Sequence, residues 1–445
     1  MKLRLLIAIA ICANVWAQTT VNVGTQNDSS NAPLTLTLQD ALAKARQVNP
    51  EYRSALTDYG LAKQDKVQSR AALLPNVDFS TSFLYTQGHG IPGVGRFIAN
   101  NGVHEYIAQG GVHQAISLEN IAEFRRTQAA EAVARARAEI AARGLLATVV
   151  QTYYGFVAAQ RKYATVQKAA AESQHFFEIT QKLEAGGEVA HSDVIKAQLQ
   201  NNEQQRELQQ TRFEMDRSRL DLAVLVFKDF NQNFAVVDDM QVPEPVPSFD
   251  EVKAAAGRKN PQLQAALASL QEARQEVAVA WNGFLPALSL DYFYGIDANQ
   301  FAVNGPIDPL TGSRVRNLGY AATATLQVPI WNWGANISKV KQANLRRNLA
   351  NVELSATQRE LLANLQSFYE EAQTASIQLE SLRQSAQLAE ESLRLINLRY
   401  QAGESTVLEV VDAQNTLTMA RNAFDDGQVR FKLALANLQT LTGTL

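Results

Sequence analysis

The chain has 445 residues, a formal net charge of −3 and 46% hydrophobic residues. This composition supplies a core but gives no support to nucleic-acid binding, which needs a basic surface. Mean hydropathy is −0.18 and no apolar run of about 20 residues follows the N-terminus, so only a β-barrel could carry the chain through a bilayer.

Lys2 and Arg4, an apolar run over residues 5–15, and Val15, Trp16 and Ala17 before Gln18 read as a secretory signal over residues 1–17. The single cysteine, Cys12, falls inside that run. Cleavage after Ala17 would leave no thiolate nucleophile, disulfide or cysteine-ligated metal. Lipidation at Cys12 is the alternative, disfavoured because Ile11 stands where processing wants a small residue.

Residues 38–72 are rich in Ala, Gln, Lys, Arg and Glu and predict a helix, with a break or fresh start at Asn49–Pro50. Pro75 ends it and opens a strand in which Val77, Phe79, Thr81, Phe83 and Tyr85 share one face. Asp78, Ser80, Ser82 and Thr86 share the other. A loop over residues 88–104 leads to a returning strand carrying Tyr106, Ala108, Gly110 and Val112 on one face. Gly88 to Gly95 has the glycine content of a phosphate loop, but Pro92 and the missing Lys-Ser/Thr argue against nucleotide binding. Residues 118–184 then run without proline, a helix of about 100 Å if continuous. Gly186 and Gly187 turn the chain into a second helix.

After a linker at 231–247 the order repeats. Asn49–Pro50 returns as Asn260–Pro261, and Leu73, Leu74 and Pro75 as Phe284, Leu285 and Pro286. Tyr106 returns as Tyr320, and Asp193 to Gln198 as Glu409 to Gln414, behind a turn at Gly403. The chain reads as a tandem duplication, with repeats at 18–230 and 248–445. Its fold class is mainly α with a membrane β-barrel, four strands and two long helical hairpins per chain. The alternating strands suit an outer-membrane barrel or a soluble sandwich. Long, weakly amphipathic helices need neighbours along their length, which favours a tube. Four strands cannot close a barrel around water, and eight make one filled by side chains, so the duct is expected to close as a homotrimer.

Arg399, Tyr400 and Gly403, leading into Val410 to Gln414 and a terminal Leu441-Thr442-Gly443, complete this set of landmarks. Together with the duplicated Asn-Pro and Leu-Pro junctions, they resemble the TolC-like outer-membrane efflux family over residues 34–445. The resemblance implies a trimeric barrel in outer-membrane lipid, continuous with a periplasmic barrel of helices and girdled by an equatorial region at the 231–247 linker. It also implies passive conduction, with a periplasmic adaptor (membrane fusion protein) and an inner-membrane transporter as partners, in efflux or type I secretion. By resemblance, Tyr400, Glu409 and Asp412 match a periplasmic gate, and Asp193 matches Glu409 in the first repeat. Ser405 replaces a gating arginine, which puts a salt-bridge latch in doubt, and Lys196 replaces the second acid. Glu409 and Asp412, spaced i and i+3, also suit the first turn of a helix that they cap and solubilise.

The five histidines, His89, His104, His113, His175 and His191, show no metal-ligand spacing, and no catalytic motif or cofactor site is expected. Trp331 and Trp333, at a strand-to-helix junction, suit an aromatic belt or packing at a barrel seam. A soluble periplasmic coiled-coil adaptor is the competing reading, weakened by the two hairpins and the pairwise strands.

Overall fold

The computed structural model describes residues 34–85, 104–240 and 245–443. The expected signal at 1–17, Cys12, the glycine-rich stretch at 88–95 and positions 241–244 of the linker lie outside the described residues.

In the first repeat a short strand β1 (Leu34–Leu36) precedes α1 (Leu38–Val48) and α2 (Pro50–Ala71). Thr37 and Asp40 form a capping box at the start of α1. Asn49 then ends α1 and starts α2 at once: its Oδ1 accepts from the Tyr52 amide at 2.8 Å, and Pro50 fills the first helical position. The expected helix at 38–72 is thus two helices jointed at Asn49. Strands β2 (Asn76–Tyr85) and β3 (His104–Ile116) follow, then α3 (Leu118–Ala185) and α4 (His191–Val226). β4 (Phe234–Val236) pairs with β1 in parallel. The second repeat gives α5 (Phe249–Lys259), α6 (Pro261–Asn282), β5 (Ala287–Ala298), a β6–β7 hairpin (Asn304–Ile307, Arg314–Arg316), β8 (Leu318–Gln327), α7 (Ala335–Gln401) and α8 (Val407–Thr442). Asn260 repeats the Asn49 joint, accepting from the Leu263 amide at 2.9 Å.

The four long strands form one antiparallel sheet in the order β2-β3-β5-β8. Its register aligns Val77, Val112, Tyr292 and Ala322 across one row. That row belongs to the apolar face, with Phe79, Phe83, Tyr294, Tyr320 and Leu326 exposed beside it. The next row, Asn76, His113, Asp291 and Thr323, belongs to the polar face, where His113 Nδ1 lies 2.6 Å from Asp291 Oδ1.

Below the sheet the helices lie side by side in two levels. Nearest the strands the order is α2-α3-α6-α7, and towards the hairpin tips it is α4-α3-α8-α7. At every level the flanks are one element from each repeat: β2 and β8, α2 and α7, α4 and α7. The large core sits between these two levels. Tyr153, Phe156, Val149 and Val157 of α3 pack there against Leu222 and Val226 of α4 and against the β1–β4 pair. Tyr153 fastens that pair. Its hydroxyl donates to the Val237 carbonyl (2.7 Å), lies 3.1 Å from the Leu36 carbonyl and accepts from the Val237 amide (3.1 Å). Burial, reinforced by Asp239, pushes its pKa up to about 12, so it stays a donor. The β1–β4 pair and the β6–β7 hairpin are not foreseen from sequence, since strands of three or four residues carry too little alternation to read. Among the described residues no helix is long and apolar enough to cross a membrane.

Candidate gate at the hairpin tips

Both hairpins turn by one device. α3 ends in Gly186 with φ −81°, followed by Gly187 at φ 76°, and the Glu188 amide donates to the Leu183 carbonyl at 2.9 Å. α7 ends in Ala402, followed by Gly403 at φ 75°, and the Glu404 amide donates to the Arg399 carbonyl at 2.8 Å. This left-handed closure satisfies the last carbonyls and requires glycine at the one position where a Cβ is strained. Gly187 and Gly403 are therefore structural equivalents, and the same offset carries Asp193 onto Glu409, Lys196 onto Asp412 and Glu184 onto Tyr400.

The second helices start differently. Thr406 caps α8 through a capping box with Glu409, whereas Ala190, at the start of α4, offers no side-chain cap. Ser405 Oγ donates to Glu409 Oε2 at 2.7 Å, and an Arg399 guanidinium nitrogen lies 4.0 Å away. Those Ser405 and Thr406 hydrogen bonds, with Arg399 beyond, hold the Glu409 carboxyl below the ordinary glutamate range. Asp412 is exposed one turn further on. On the first tip Asp193 is half-buried with Lys196 Nζ at 3.4 Å, and Glu184 Oε1 meets His191 Nδ1 at 2.6 Å across the turn.

Tyr400 lies elsewhere. It is buried in the seam between the two hairpins, its ring 5.1 Å from that of Phe176 and its hydroxyl 3.4 Å from Thr180 Oγ1. Ala197, Val407 and Val410 complete this apolar plug. About one turn above it the seam becomes polar. Gln200 Nε2 donates to Asn415 Oδ1 at 2.8 Å, and Asn201 Nδ2 to Gln174 Oε1 at 2.6 Å. Ser173 Oγ, Asn201 Oδ1, Gln204 Oε1 and Gln414 Oε1 are buried there without a partner within the protomer.

The expected gate residues thus occupy two settings. Glu409 and Asp193 sit on the first turns of α8 and α4, Asp412 one turn beyond Glu409, and Tyr400 locks one hairpin to the other. Sequence reading had Arg399 only as a landmark of the turn, not as a partner of Glu409, and missed Thr406, Phe176 and Thr180. Thr406 was legible as a Thr-x-x-Glu capping pattern, but Phe176 and Thr180 lie more than 200 residues from Tyr400 and carry no local signal. Among the described residues no group of His, Cys, Asp and Glu could hold a metal ion.

Comparison with known proteins places this arrangement. Residues 254–444 match the model of the family described as outer membrane efflux protein. The chain is 23% identical to the outer membrane protein TolC of Escherichia coli K12, covering 92% of this chain and 82% of that one. It is 22% identical to the alkaline protease secretion protein AprF of Pseudomonas aeruginosa, over 92% and 85% of the two chains. The solved structure of the Campylobacter jejuni CmeC outer membrane channel superposes with a TM-score of 0.76 at 18% identity, covering 91% of this chain and 85% of that one.

Proposed function

We propose that this chain, a TolC-like outer-membrane efflux protein, is one of three identical subunits of a passive duct through the outer membrane. Cargo delivered by an inner-membrane transporter and a periplasmic adaptor passes through it in efflux or type I secretion. The observation that carries this reading is the pair of unmatched flanks. At each level the protomer offers a first-repeat element on one side and a second-repeat element on the other, so copies join head to tail and a suitable rotation closes a ring.

The flanks are also chemically ready. Strands β2 and β8 leave their outer edges unpaired in the protomer. Ile195, Leu199, Phe213, Leu220 and Val224 form one exposed apolar stripe along α4, and Ile377, Leu388 and Leu395 form another along α7. A single chain in water has no use for two such stripes on opposite sides. Three copies give twelve strands and a water-filled lumen bounded by the polar sheet face. On this reading residues 1–17 are removed, the two repeats span 18–230 and 248–445, and residues 231–247 belong to the equatorial girdle.

The tip is the gate of this duct. Glu409 and Asp412 from three subunits ring its mouth, Asp193 adds a lesser acidic position, and Tyr400 holds each second hairpin to the first. With serine at position 405, the Glu409 side is latched by Arg399 and the Thr406 cap. Planar-bilayer recordings test both levels. Stepwise current, blocked by a divalent cation on the periplasmic side and freed by Glu409→Ala with Asp412→Ala, is the expected result. Current that no cation blocks removes the acidic gate, and protein that dissolves without detergent and never conducts removes the duct.

A further inference from the structure

One arginine of the first repeat is clasped over the ends of two helices of the second. Arg143 of α3 donates through Nη1 to the Thr440 carbonyl of α8 and through Nη2 to the Lys259 carbonyl of α5, both at 3.1 Å. Glu139, one turn back, steadies Nε at 3.1 Å. A guanidinium set across two helix C-termini satisfies carbonyls that have no amide donor of their own, and it meets the negative ends of both dipoles. Leu146, beside the clasp, is 4% exposed in the equatorial core, which reaches α8 at Ala436.

The same device recurs in the second repeat. Arg143, Leu145, Leu146, Ala147 and Tyr153 return along α7 as Arg359, Leu361, Leu362, Ala363 and Tyr369. Yet Arg359 is exposed and, among the described residues, bonds only the Ser355 carbonyl of its own helix, through Nε at 3.3 Å. Leu362, at the place of Leu146, is 53% exposed. The receiving half recurs as well. α5 repeats α1 and α8 repeats α4 position for position, over 11 and 36 residues, so Lys259 corresponds to Val48, Thr440 to Val224 and Ala436 to Leu220. Val48 and Val224 offer helix-end carbonyls like those that Arg143 caps, and Leu220 is exposed. Phe227, which takes the place of Gly443 beside the clasp, turns its ring into the core against Phe234 and leaves the approach open.

We propose that Arg359 makes between subunits the clasp that Arg143 makes within one. Its guanidinium caps the carbonyls of Val48 of the partner subunit and Val224 of the partner subunit, and Leu362 seats on the partner's Leu220. A second copy of this chain is the occupant because only a first repeat presents the ends of α1 and α4. The strands run the same way, with β3 joined to β5 inside the chain and the edges of β8 and β2 left for neighbours. Arg161, the other charged tie between the repeats, does not recur, since Ile377 stands at its place. The subunit joint therefore inherits the Arg143 clasp and not the Arg161 one.

This inference deepens the head-to-tail ring proposed above, and two variants of the protein lacking residues 1–17 separate the two. Arg359→Met keeps most of the stem and removes the guanidinium. In mild detergent, with assembly read by light scattering, its trimers should dissociate in dodecyl sulfate about tenfold faster than those of the unaltered chain, as expected on losing a charged hydrogen-bond donor. Arg359→Cys with Val224→Cys, in a chain left without other cysteines, should give covalent dimers and trimers with a short bismaleimide, and neither single variant should. Trimers that fail to cross-link, or that dissociate at the unaltered rate without the guanidinium, overturn the clasp and keep the ring. Protein that is monomeric in detergent at every concentration overturns both.

Discussion

The equatorial core and the hairpin tips are built from the same α3–α4 pair, yet they are held by different physics. At the equator Tyr153, Phe156, Leu222 and Val226 are essentially fully buried and the Tyr153 hydroxyl is bonded, while Asp239 Oδ1 is buried there without a partner. At the tips one small plug around Tyr400 and Val410 stands below a seam whose buried amides leave acceptors unpaired. Unpaired buried acceptors each forfeit about 1–3 kcal/mol, so the lower seam gains little from its own closure. The protomer therefore holds a larger apolar core at its waist than at its hairpin tips.

The largest test of this contrast is Phe156→Ala. Removing a fully buried aromatic ring should destabilise the fold by about 3–5 kcal/mol, read as a large fall in the urea midpoint of the helical circular dichroism signal. Val410→Ala at the tip should lower the same midpoint far less, because it trims a small plug. Equal falls would erase the distinction between waist and mouth. Tyr153→Phe is the finer version, keeping the ring and removing the hydroxyl's bond to the Val237 carbonyl while the Val237 amide keeps the Leu36 carbonyl, for an expected loss of about 1 kcal/mol.

A smaller effect separates the charged fittings of the waist from its apolar core. Arg161 of α3 reaches Asp238 beside β4 at 2.6 Å and Asp425 of α8 at 3.3 Å, and bonds Gln428 as well, tying the first repeat to the second. Burial nevertheless wins at Asp425, raising its pKa although Arg161 opposes the shift. A carboxyl whose folded pKa is raised binds its proton more readily when folded, so its contribution to stability grows as pH falls through that pKa. Asp425→Asn should therefore remove part of the stability gained between neutral and mildly acidic pH. An unchanged pH profile of the urea midpoint would mean that Arg161 compensates Asp425 fully.

Much of the molecule was legible because its signals repeat. The two proline-free runs and the Asn-Pro joints appear twice, and each copy supports the other. α3 falls within one residue of the run read at residues 118–184, and α7 ends at Gln401, at the turn read at Gly403. The expected strand faces also match the register, since a period of two is unambiguous where apolar and polar residues alternate over ten positions. The seam between the hairpins was not legible. Its chemistry is the meeting of Tyr400 with Phe176 and Thr180, and residues so far apart in sequence share no pattern that a single chain can display. The site was half legible for the same reason: Glu409 and Gly403 announce themselves through local helix-end rules, and Tyr400 needs a partner from the other repeat.

The smallest expected effect lies at the mouth itself, where the two tips differ in how their second helices begin. Glu409 closes a capping box and receives Ser405, so its folded pKa is depressed. A carboxyl with a depressed folded pKa lends stability above its unfolded value, and that stability disappears as pH falls through the lower one. Amide exchange at the first turn of α8, corrected for intrinsic rate, should therefore be slow at about pH 6 and quicken towards about pH 3. The first turn of α4 lacks a side-chain cap at Ala190 and should show no such step of its own from a capping box. Glu409→Gln retains the shape of the cap and removes the charge, and it should flatten the α8 profile. If the step survives that substitution, the acid sensed at the mouth is another group, and the difference between the two tips is not written in their caps.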